Sequence, residues 1–543
     1  MKTVKTEDRE DEEGRRIGRR IRSSVRVVGL IWRVSPFRVA AILLLTVVAG
    51  LLPAYQVHLT AAAVQAVADA IIAKGAEDAV DAAFRSGLML AAVTAGASVL
   101  GLFQGYVSSI LQLRLGNAMA EKILLKATSL DLRHFENDKY YDSLQRASRE
   151  AGSRPYAVFT DIVGLGGNVI SLLSMLGVLF SWDVRLGLFL LVSPVPALVA
   201  NLIFGRKGFE IEHKRAAERR KVAYLQGLVT SDKAFKEIRL LQLEPLLLDR
   251  FRGAIKGFFV VDRGLIRKQT VVNVPLNLAG ISVAAGAMLY AMKATISIGL
   301  IGQFSAFVQA VGRVQTSAQA LVAGISRFYA NTLFLGNLFE FLDLPGSTIK
   351  GGSLPFPQRL RYGIEFRDVS FVYPGTTRVA LNRLTCVLPA GKCAAVVGAN
   401  GAGKTTLVKL LTRLYEPTAG QILIDGIPIE EYDVRSLRRN IGVIFQDFVH
   451  YEMTVQENIG FGRVEDMHDR ERVRLAAEQS RAAPFLEKLP QGYDTMLGRL
   501  FEGGQQLSGG QWQKVALARA FMRQAPVVVL DEPTAAIDAE AEA

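Results

Sequence analysis

The chain has 543 residues, of which 50% are hydrophobic and 21% charged, and its mean hydropathy is +0.24. These values argue against a wholly soluble protein and indicate a membrane part. The formal net charge of +13 suits either nucleic acid or a membrane surface, so the placement of the basic residues must decide between them.

The first 35 residues are charged, become basic, and end in an amphipathic stretch at 25–34 that predicts a helix along a membrane surface. Six apolar stretches of about 20 residues follow, each long enough to cross a bilayer. They are residues 37–57, 88–111, 162–182, 186–204, 271–292 and 296–314. We therefore predict an all-α polytopic membrane domain with six transmembrane helices.

Two connections between the spans, 114–161 and 205–269, are long, helical in pattern and rich in Arg and Lys. The positive-inside rule places them in the cytosol together with the basic N-terminal segment. Because the basic residues flank the spans, the charge indicates topology, and nucleic acid is not an expected partner. We expect a multi-pass protein of the cell membrane whose N-terminus is cytoplasmic.

The spans contain polar side chains but no Asp, Glu, Lys or Arg in their cores. Two interpretations remain open for them, a substrate cavity or hydrogen bonds between helices. The residues are Gln56, His58, Gln104, Asn168, Asn201, Asn273, Asn277, Gln303 and Gln309. Since strongly ionic or ion-coupled cavities normally keep intramembrane charges, the sequence favours an amphipathic or lipid-like substrate.

The helical pattern continues from 317 to 344 and is then broken by proline and glycine. We predict a membrane domain over 1–345, a linker over 346–361 and a soluble α/β domain over 362–543. The only cysteines, Cys386 and Cys393, lie in the last of these. They support neither a disulfide framework nor a metal site, and two reduced core thiols are expected.

The soluble part contains GANGAGKTT, from Gly398 to Thr406, which fits the phosphate-loop pattern G-x-x-x-x-G-K-[ST]. The apolar run 393–397 before it predicts a buried strand, and 406–414 after it predicts a helix. Backbone N–H groups at such a helix start surround a phosphate. Lys404 would reach the β and γ phosphates and the Thr405 hydroxyl would bind Mg²⁺. ATP and Mg²⁺ are thus the expected ligands.

An apolar strand, VVVL at 527–530, is followed by two carboxylates. Asp531 would hold Mg²⁺ through water, and Glu532 would polarise the attacking water as general base. Without a phosphate loop, two solvated acids at a strand end would be the better interpretation.

The sequence LSGGQ at 507–511 precedes a helical segment. With the phosphate loop and VVVLDE, it resembles the ATP-binding cassette of ABC transporters. The resemblance implies that two cassettes pair head to tail, so that Ser508, Gly510 and Gln511 of one face the γ-phosphate held by the other. Six spans before one cassette resemble the exporter-type half-transporter, which implies a second half-transporter as partner.

The resemblance assigns further roles. Tyr373 is similar to the aromatic residue that stacks on adenine, Gln446 to the glutamine that senses Mg²⁺ and the attacking water, and Asp538 to the aspartate of the loop after the catalytic glutamate. Short transverse helices that dock on a cassette are expected at 138–146 and 230–239. The residues matching the phosphate site are Gly398, Asn400, Gly401, Gly403, Lys404, Thr405 and Thr406.

One feature departs from the family. ABC cassettes carry a switch histidine on the strand after the catalytic glutamate, whereas all five histidines here precede Asp531. We therefore expect a product truncated at its C-terminus, which binds nucleotide poorly, turns over little and exposes an unpaired sheet edge.

The predicted function is ATP-driven export of an amphipathic, lipid or peptide substrate by a dimer of half-transporters. One alternative is an importer with the exporter layout, as in some siderophore carriers, which the direction of flux in inside-out vesicles would separate. Another is a membrane regulator that moves no substrate, against which substrate-stimulated ATP hydrolysis in liposomes would argue. The spans argue against a soluble cassette ATPase.

Overall fold

The computed structural model describes residues 23–137, 140, 144, 147, 152–182, 195–298 and 301–531. The chain divides into two compact units. The first comprises Met1–Ala127 and Asp142–Leu344, and the second comprises Thr128–Tyr141 and Pro345–Ala543. The second unit thus includes a short segment that lies, in sequence, between two helices of the first.

Helices dominate the chain up to residue 342, and all of them except the four-residue α4 belong wholly or mainly to the first unit. In chain order they are α1 (residues 23–34), α2 (Pro36–Ile72), α3 (Glu77–Thr128), α4 (Leu132–Phe135), α5 (Arg154–Trp182), α6 (Val195–Lys214), α7 (Ala216–Thr230), α8 (Asp232–Leu240), α9 (Glu244–Ile298) and α10 (Ile301–Leu342). Helices α2, α5 and α10 pack against one another, which places Val57, Met175 and Phe307 in one buried cluster.

Four of the described helices are long and apolar enough to cross a membrane. They are Pro36–Ile72, Glu77–Thr128, Arg154–Trp182 and Glu244–Lys293. The prediction of six spans is therefore not confirmed. The predicted span 186–204 lies partly outside the described residues. Most of the predicted span 296–314 lies in α10, where Gln303, Gln309 and Arg313 lower its hydropathy.

The amphipathic stretch at 25–34 is helical, as predicted, and α1 is fixed by one of its arginines. Arg26 donates two hydrogen bonds to the carboxylate of Asp343, at 2.6 and 2.7 Å, and its guanidinium lies 4.3 Å from the centroid of the Phe339 ring. A bidentate pair of this kind defines an orientation as well as a contact. It joins α1 to the end of α10.

Several polar side chains of the predicted spans make hydrogen bonds between helices. The Gln104 amide donates to the Thr46 hydroxyl at 3.0 Å, which joins α3 to α2. The Asn273 amide donates to Asn201 Oδ1 at 3.0 Å, which joins α9 to α6. For these three predicted polar residues, interhelical hydrogen bonding is the interpretation that the structure supports.

The helix predicted at 230–239 is present as α8, a separate element between Ser231 and the break at 241–243. The equivalent prediction in the first long connection, 138–146, lies almost entirely outside the described residues. The short helix α4 lies just before it in the chain and belongs to the second unit.

The second unit contains an antiparallel sheet in the order β2-β1-β3-β4 and a separate parallel pair, β5-β6. The strands are β1 (Gly363–Val372), β2 (Val379–Pro389), β3 (Ala419–Ile424), β4 (Ile427–Pro428), β5 (Ile441–Ile444) and β6 (Val527–Leu530). The helices are α11 (Lys404–Leu411), α12 (Val434–Arg439), α13 (Val455–Gly460), α14 (Arg470–Gln479), α15 (Ala483–Leu486) and α16 (Gly509–Met522). The predicted α/β character is confirmed.

Apolar side chains form several buried clusters among the described residues of this unit, and two of them contain the helices of the predicted site. One lies between the antiparallel sheet and α11 and includes Phe366, Leu410 and Ile422. The other joins α13, α14 and α16 and includes Ile459 and Trp512. The phosphate-loop helix α11 belongs to the first cluster and the helix after LSGGQ to the second.

The predicted buried strand at 393–397 is wrong. These residues form no strand and are exposed, with Val397 91% exposed, and the Cys393 thiol is likewise exposed rather than in the core. A strand needs a neighbour for its N–H and C=O groups, and among the described residues β5 and β6 pair with each other. Hydrophobic sequence alone did not define the pairing.

The turn between β3 and β4, Asp425-Gly426, has positive φ at both residues, the conformation of a tight hairpin. The Asp425 carboxylate accepts hydrogen bonds from the backbone N–H groups of residues 361–363 at 2.8–3.1 Å. Burial opposes the charge of this carboxylate, but these hydrogen bonds outweigh it and lower its pKa. The hairpin therefore fixes the start of β1.

We predict that Asp425→Asn speeds amide hydrogen exchange at residues 361–363 by about tenfold, because the charge-assisted hydrogen bonds are weakened. Hydrogen-exchange mass spectrometry at pH 7 measures this. The control, Asp494→Asn, removes an exposed acid paired with Arg470 and should leave the same amides unchanged. Equal protection in the wild type and Asp425→Asn would contradict the assignment.

The lowered pKa also predicts a pH dependence. A carboxylate whose folded pKa lies below its unfolded value stabilises the fold fully above the unfolded value, about 3.9 for aspartate, and loses this contribution as pH falls through the folded value. The difference in unfolding temperature between wild type and Asp425→Asn should thus be present at pH 6 and decrease as pH falls below the unfolded value towards the lower folded value. A difference that persists unchanged in acid would oppose this cause.

Candidate nucleotide site

Gly403 sets the start of the phosphate-loop helix. Its φ is +96°, in the left-handed region, and it is the N-cap of α11. A Cβ at this position would lie 2.8 Å from both the Ala380 carbonyl oxygen and Leu381 Cδ2 of β2. Glycine is required here because any side chain would be strained and would push the loop away from β2.

The Lys404 ammonium donates a hydrogen bond to the carbonyl oxygen of Gly398 at 2.9 Å, so its side chain folds back over the loop. Lys404 and Thr405 are half-buried, whereas Asn400 and Gly401 are exposed. The predicted phosphate-binding residues are therefore gathered in one accessible loop at the N-terminus of a helix, an arrangement that favours anions.

Thr406 has a structural role in addition to its place in the motif. Its side chain is 5% exposed, and its hydroxyl lies 2.9 Å from the hydroxyl of Tyr373. The Tyr373 ring meets the rings of Phe371 and Tyr415 edge-on, with centroids 4.9 and 5.5 Å away. Tyr373, the predicted adenine-stacking residue, is thus attached directly to the phosphate-loop helix.

Gln446 and Asp531 lie at the same edge of the parallel pair. Strands β5 and β6 are in register from Ile441–Val527 to Ile444–Leu530, and the Asp531 N–H donates to the Ile444 carbonyl at 2.9 Å. Gln446 follows β5 by two residues and Asp531 follows β6 directly. The structure therefore brings these two predicted residues to the carboxyl end of adjacent strands, where α/β folds bind ligands.

Asp531 also fits a cation site. The side chain is 5% exposed, and its Oδ2 has no hydrogen-bond partner among the described residues. A buried carboxylate oxygen without a donor is costly unless a cation or water satisfies it. The resemblance would add the Thr405 hydroxyl and the Gln446 amide oxygen to this carboxylate, and hard oxygen ligands of this kind are those that Mg²⁺ prefers. Bound there, Mg²⁺ would neutralise phosphate charge.

The LSGGQ segment ends in a capped helix. Ser508 is the N-cap of α16, its Oγ accepts a hydrogen bond from the Gln511 N–H at 3.3 Å, and its own N–H donates to Gln511 Oε1 at 2.9 Å. This reciprocal capping box fixes the first turn. Leu507 and Trp512 are buried on either side, so Ser508 and Gly509 are presented at the surface.

Glu532 and Asp538 lie outside the described residues, so their predicted roles stay predictions. Sequence reasoning missed three residues close to the site. They are Glu136, Lys409 and Tyr415, of which Lys409 and Tyr415 both donate hydrogen bonds to the Glu136 carboxylate. No signal in the sequence indicated this contact, because Glu136 and Lys409 are 273 positions apart and no motif contains either.

Comparison with known proteins places the described geometry in context. A profile of the ABC transporter family matches residues 381–535. The chain is 37% identical over 432 residues to the subtilin transport ATP-binding protein SpaT of Bacillus subtilis, covering 79% of this chain and 70% of that protein. It is 34% identical over 403 residues to the ATP-dependent lipid A-core flippase of Haemophilus ducreyi, covering 72% and 66%.

Among solved structures, a bacterial Atm1-family ABC exporter with ATP bound matches this chain with a TM-score of 0.70 at 24% identity. The match covers 93% of this chain and 87% of the other. At this identity the comparison bears on the fold alone. It supports a helical membrane domain followed by a cassette.

We predict that Gly403→Ala weakens equilibrium binding of Mg-ATP by about tenfold or more, because the strained φ and the clash with β2 displace the loop. A matched control is Gly426→Ala, which has a similar φ of +82° but no atom within 4 Å of its Cβ. Titration of the purified full-length chain with ATP measures both. Gly426→Ala should bind Mg-ATP as the wild type does, so an equal affinity in Gly403→Ala would contradict the role given to Gly403.

Proposed function

The chain belongs to the ABC transporter family, with an exporter-type membrane domain fused to one ATP-binding cassette, and on this basis we propose that it is one half of a dimeric ATP-driven exporter of an amphipathic substrate. It couples ATP hydrolysis to transport. The observation that supports the proposal is that one chain contains two helix starts that would form the two halves of a composite ATP site: the phosphate loop before α11 and the capped, exposed start of α16.

The two surfaces explain why a second half-transporter is needed. Each is the N-terminus of a helix, and each would favour the phosphates of one nucleotide. In a head-to-tail pair, the Ser508 and Gly510 of one protomer would face the γ-phosphate held by Lys404 of the other. Because both surfaces are intact in this chain, a homodimer is sufficient, and a partner with its own cassette would serve equally.

The hydrolytic roles follow the resemblance. Lys404 would neutralise the β and γ phosphates, and Glu532 would accept a proton from the attacking water. Thr405, Gln446 and Asp531 would hold Mg²⁺, for which the unpaired buried Asp531 Oδ2 is the supporting observation. ATP binding would close the two cassettes, and hydrolysis would release them.

An amphipathic substrate is supported by the membrane unit and by the relatives. Polar side chains that a hydrophilic cavity would need, such as Gln104 and Asn273, are used in bonds between helices. The relatives are described by their transport of subtilin and as a flippase of lipid A-core. We propose that the cassette and N-terminus are cytoplasmic, because the basic residues flank the spans on that side.

The transport proposal is tested in inside-out membrane vesicles with two probes, a fluorescently labelled phospholipid and an amphipathic peptide. We expect ATP-dependent accumulation of at least one probe inside the vesicles, and stimulation of ATP hydrolysis by that probe in liposomes. Lys404→Ala should abolish both, because the phosphate contact is lost. ATP-dependent loss from preloaded vesicles would indicate import, and hydrolysis that no probe stimulates would favour a regulator.

We predict that Glu532→Gln retains Mg-ATP binding, lowers hydrolysis by about 100-fold or more and traps a closed dimer, because the general base is removed while the phosphate contacts remain. Size-exclusion chromatography with light scattering and phosphate release measure these effects. The control Glu487→Gln changes an exposed acid in the segment after α15 and should behave as the wild type. Wild-type turnover in Glu532→Gln would assign the base elsewhere.

A further inference from the structure

The short segment between α3 and α5 places an acid against the cassette. Glu136, directly after α4, accepts a hydrogen bond from the Lys409 ammonium at 2.7 Å and another from the Tyr415 hydroxyl. The Lys409 side chain is 19% exposed and Tyr415 is 7% exposed. One carboxylate therefore holds two largely buried cassette residues at the same time.

Neighbouring contacts fix this segment firmly on the cassette. Leu132 packs against the cluster between the sheet and α11. Asp131 accepts hydrogen bonds from the Thr348 N–H at 2.9 Å and the Thr348 hydroxyl at 3.2 Å. Burial opposes the charge of Asp131, but hydrogen bonds from Ser347 and Thr348 and the charge of Arg133 outweigh it and lower its pKa. These contacts thus hold the segment that carries Glu136 in place.

Both partners of Glu136 contact Tyr373. The Lys409 ammonium lies 5.2 Å from the centroid of the Tyr373 ring, within the range of a cation–π interaction. The Tyr415 ring meets the Tyr373 ring edge-on at 5.5 Å, an arrangement that aromatic pairs favour. The Tyr373 hydroxyl is in turn bonded to Thr406. Glu136 is therefore linked to Tyr373, the predicted adenine-stacking residue, through Lys409 and separately through Tyr415.

The charge states agree with this geometry. Burial opposes the charge of Lys409, but the hydrogen bond that Lys409 donates to Glu136 and the electrostatic fields of Tyr373 and Glu136 outweigh it and raise the pKa of Lys409. Burial and the Glu136 carboxylate raise the pKa of Tyr415, so its hydroxyl stays protonated and donates. Removing the carboxylate would leave a largely buried ammonium without a counter-charge, and Lys409 would turn away from the rings.

We propose that Glu136 is a positioning residue for the nucleotide: by holding Lys409 and Tyr415, it fixes the Tyr373 ring on which the adenine base stacks. The inference rests on the proposed function of Tyr373 in ATP binding and adds to it a residue from the first long connection of the membrane domain. It makes the affinity for ATP depend on a segment outside the cassette sequence.

The test uses the purified full-length chain and measures equilibrium binding of Mg-ATP together with KM and kcat for hydrolysis. Glu136→Gln should raise Kd and KM about fivefold with kcat changed less than twofold, since a contact to the base and not to the reacting phosphate is weakened. Lys409→Met, a change within the cassette, should have the same effect. Glu471→Gln, at an acid with 82% exposure paired with Arg474, is the matched control and should change nothing.

A double-mutant cycle separates positioning from simple anchoring. In the Tyr373→Ala background, Glu136→Gln should change Kd by less than about 1.5-fold, because the ring that it positions is absent. A full fivefold effect in that background, an unchanged Kd in Glu136→Gln, or a lowered kcat at constant KM would each overturn the proposal.

The readouts also distinguish this proposal from the proposed function. A wild-type chain that binds no Mg-ATP would refute the proposed function itself, whereas a wild type that binds Mg-ATP and a Glu136→Gln variant that binds it equally well would refute only the role of Glu136. Hydrogen exchange at residues 131–137 reports whether the segment stays docked in the variant. Weakened ATP binding with unchanged protection there supports positioning, and lost protection with unchanged binding overturns it.

Discussion

The close approach of the phosphate loop to strand β2 is the constraint on which the nucleotide site depends. Gly403 has no side chain, so the loop can turn through a left-handed conformation beside the Ala380 carbonyl and start α11 there. That start places Lys404 and Thr405 at the open end of the helix and Thr406 on its buried side, bonded to Tyr373. The phosphate residues and the predicted base platform are thus joined through α11.

Local motifs were readable from the sequence because their physics is local. A glycine-rich loop before a helix, and a serine that caps a helix with a glutamine three residues later, each contain their own partners. The strand predicted at 393–397 is absent from the structure: a strand needs a neighbour from another part of the chain, and an apolar run does not specify one. The contact between Glu136 and Lys409 was not predicted, because tertiary folding alone brings the two residues together.

The membrane unit shows the same limit. Hydropathy identifies long apolar helices, but it cannot say whether a polar side chain faces a cavity or a neighbouring helix, because both satisfy a polar group in an apolar surrounding. The bonds from Gln104 to Thr46 and from Asn273 to Asn201 decide this for those residues. Hydropathy also identifies no clear span in α10, because polar residues such as Gln303 and Arg313 interrupt its apolar pattern.

The capping box at α16 has a consequence for association. A serine hydroxyl has two lone pairs and one proton, and the cap uses only a lone pair of Ser508. The proton remains able to point outward to an anion while the helix stays closed. In the proposed pair, the surface that would meet another protomer is therefore preorganised. Association would not require local refolding, and its rate would be set by how the two protomers meet rather than by helix formation.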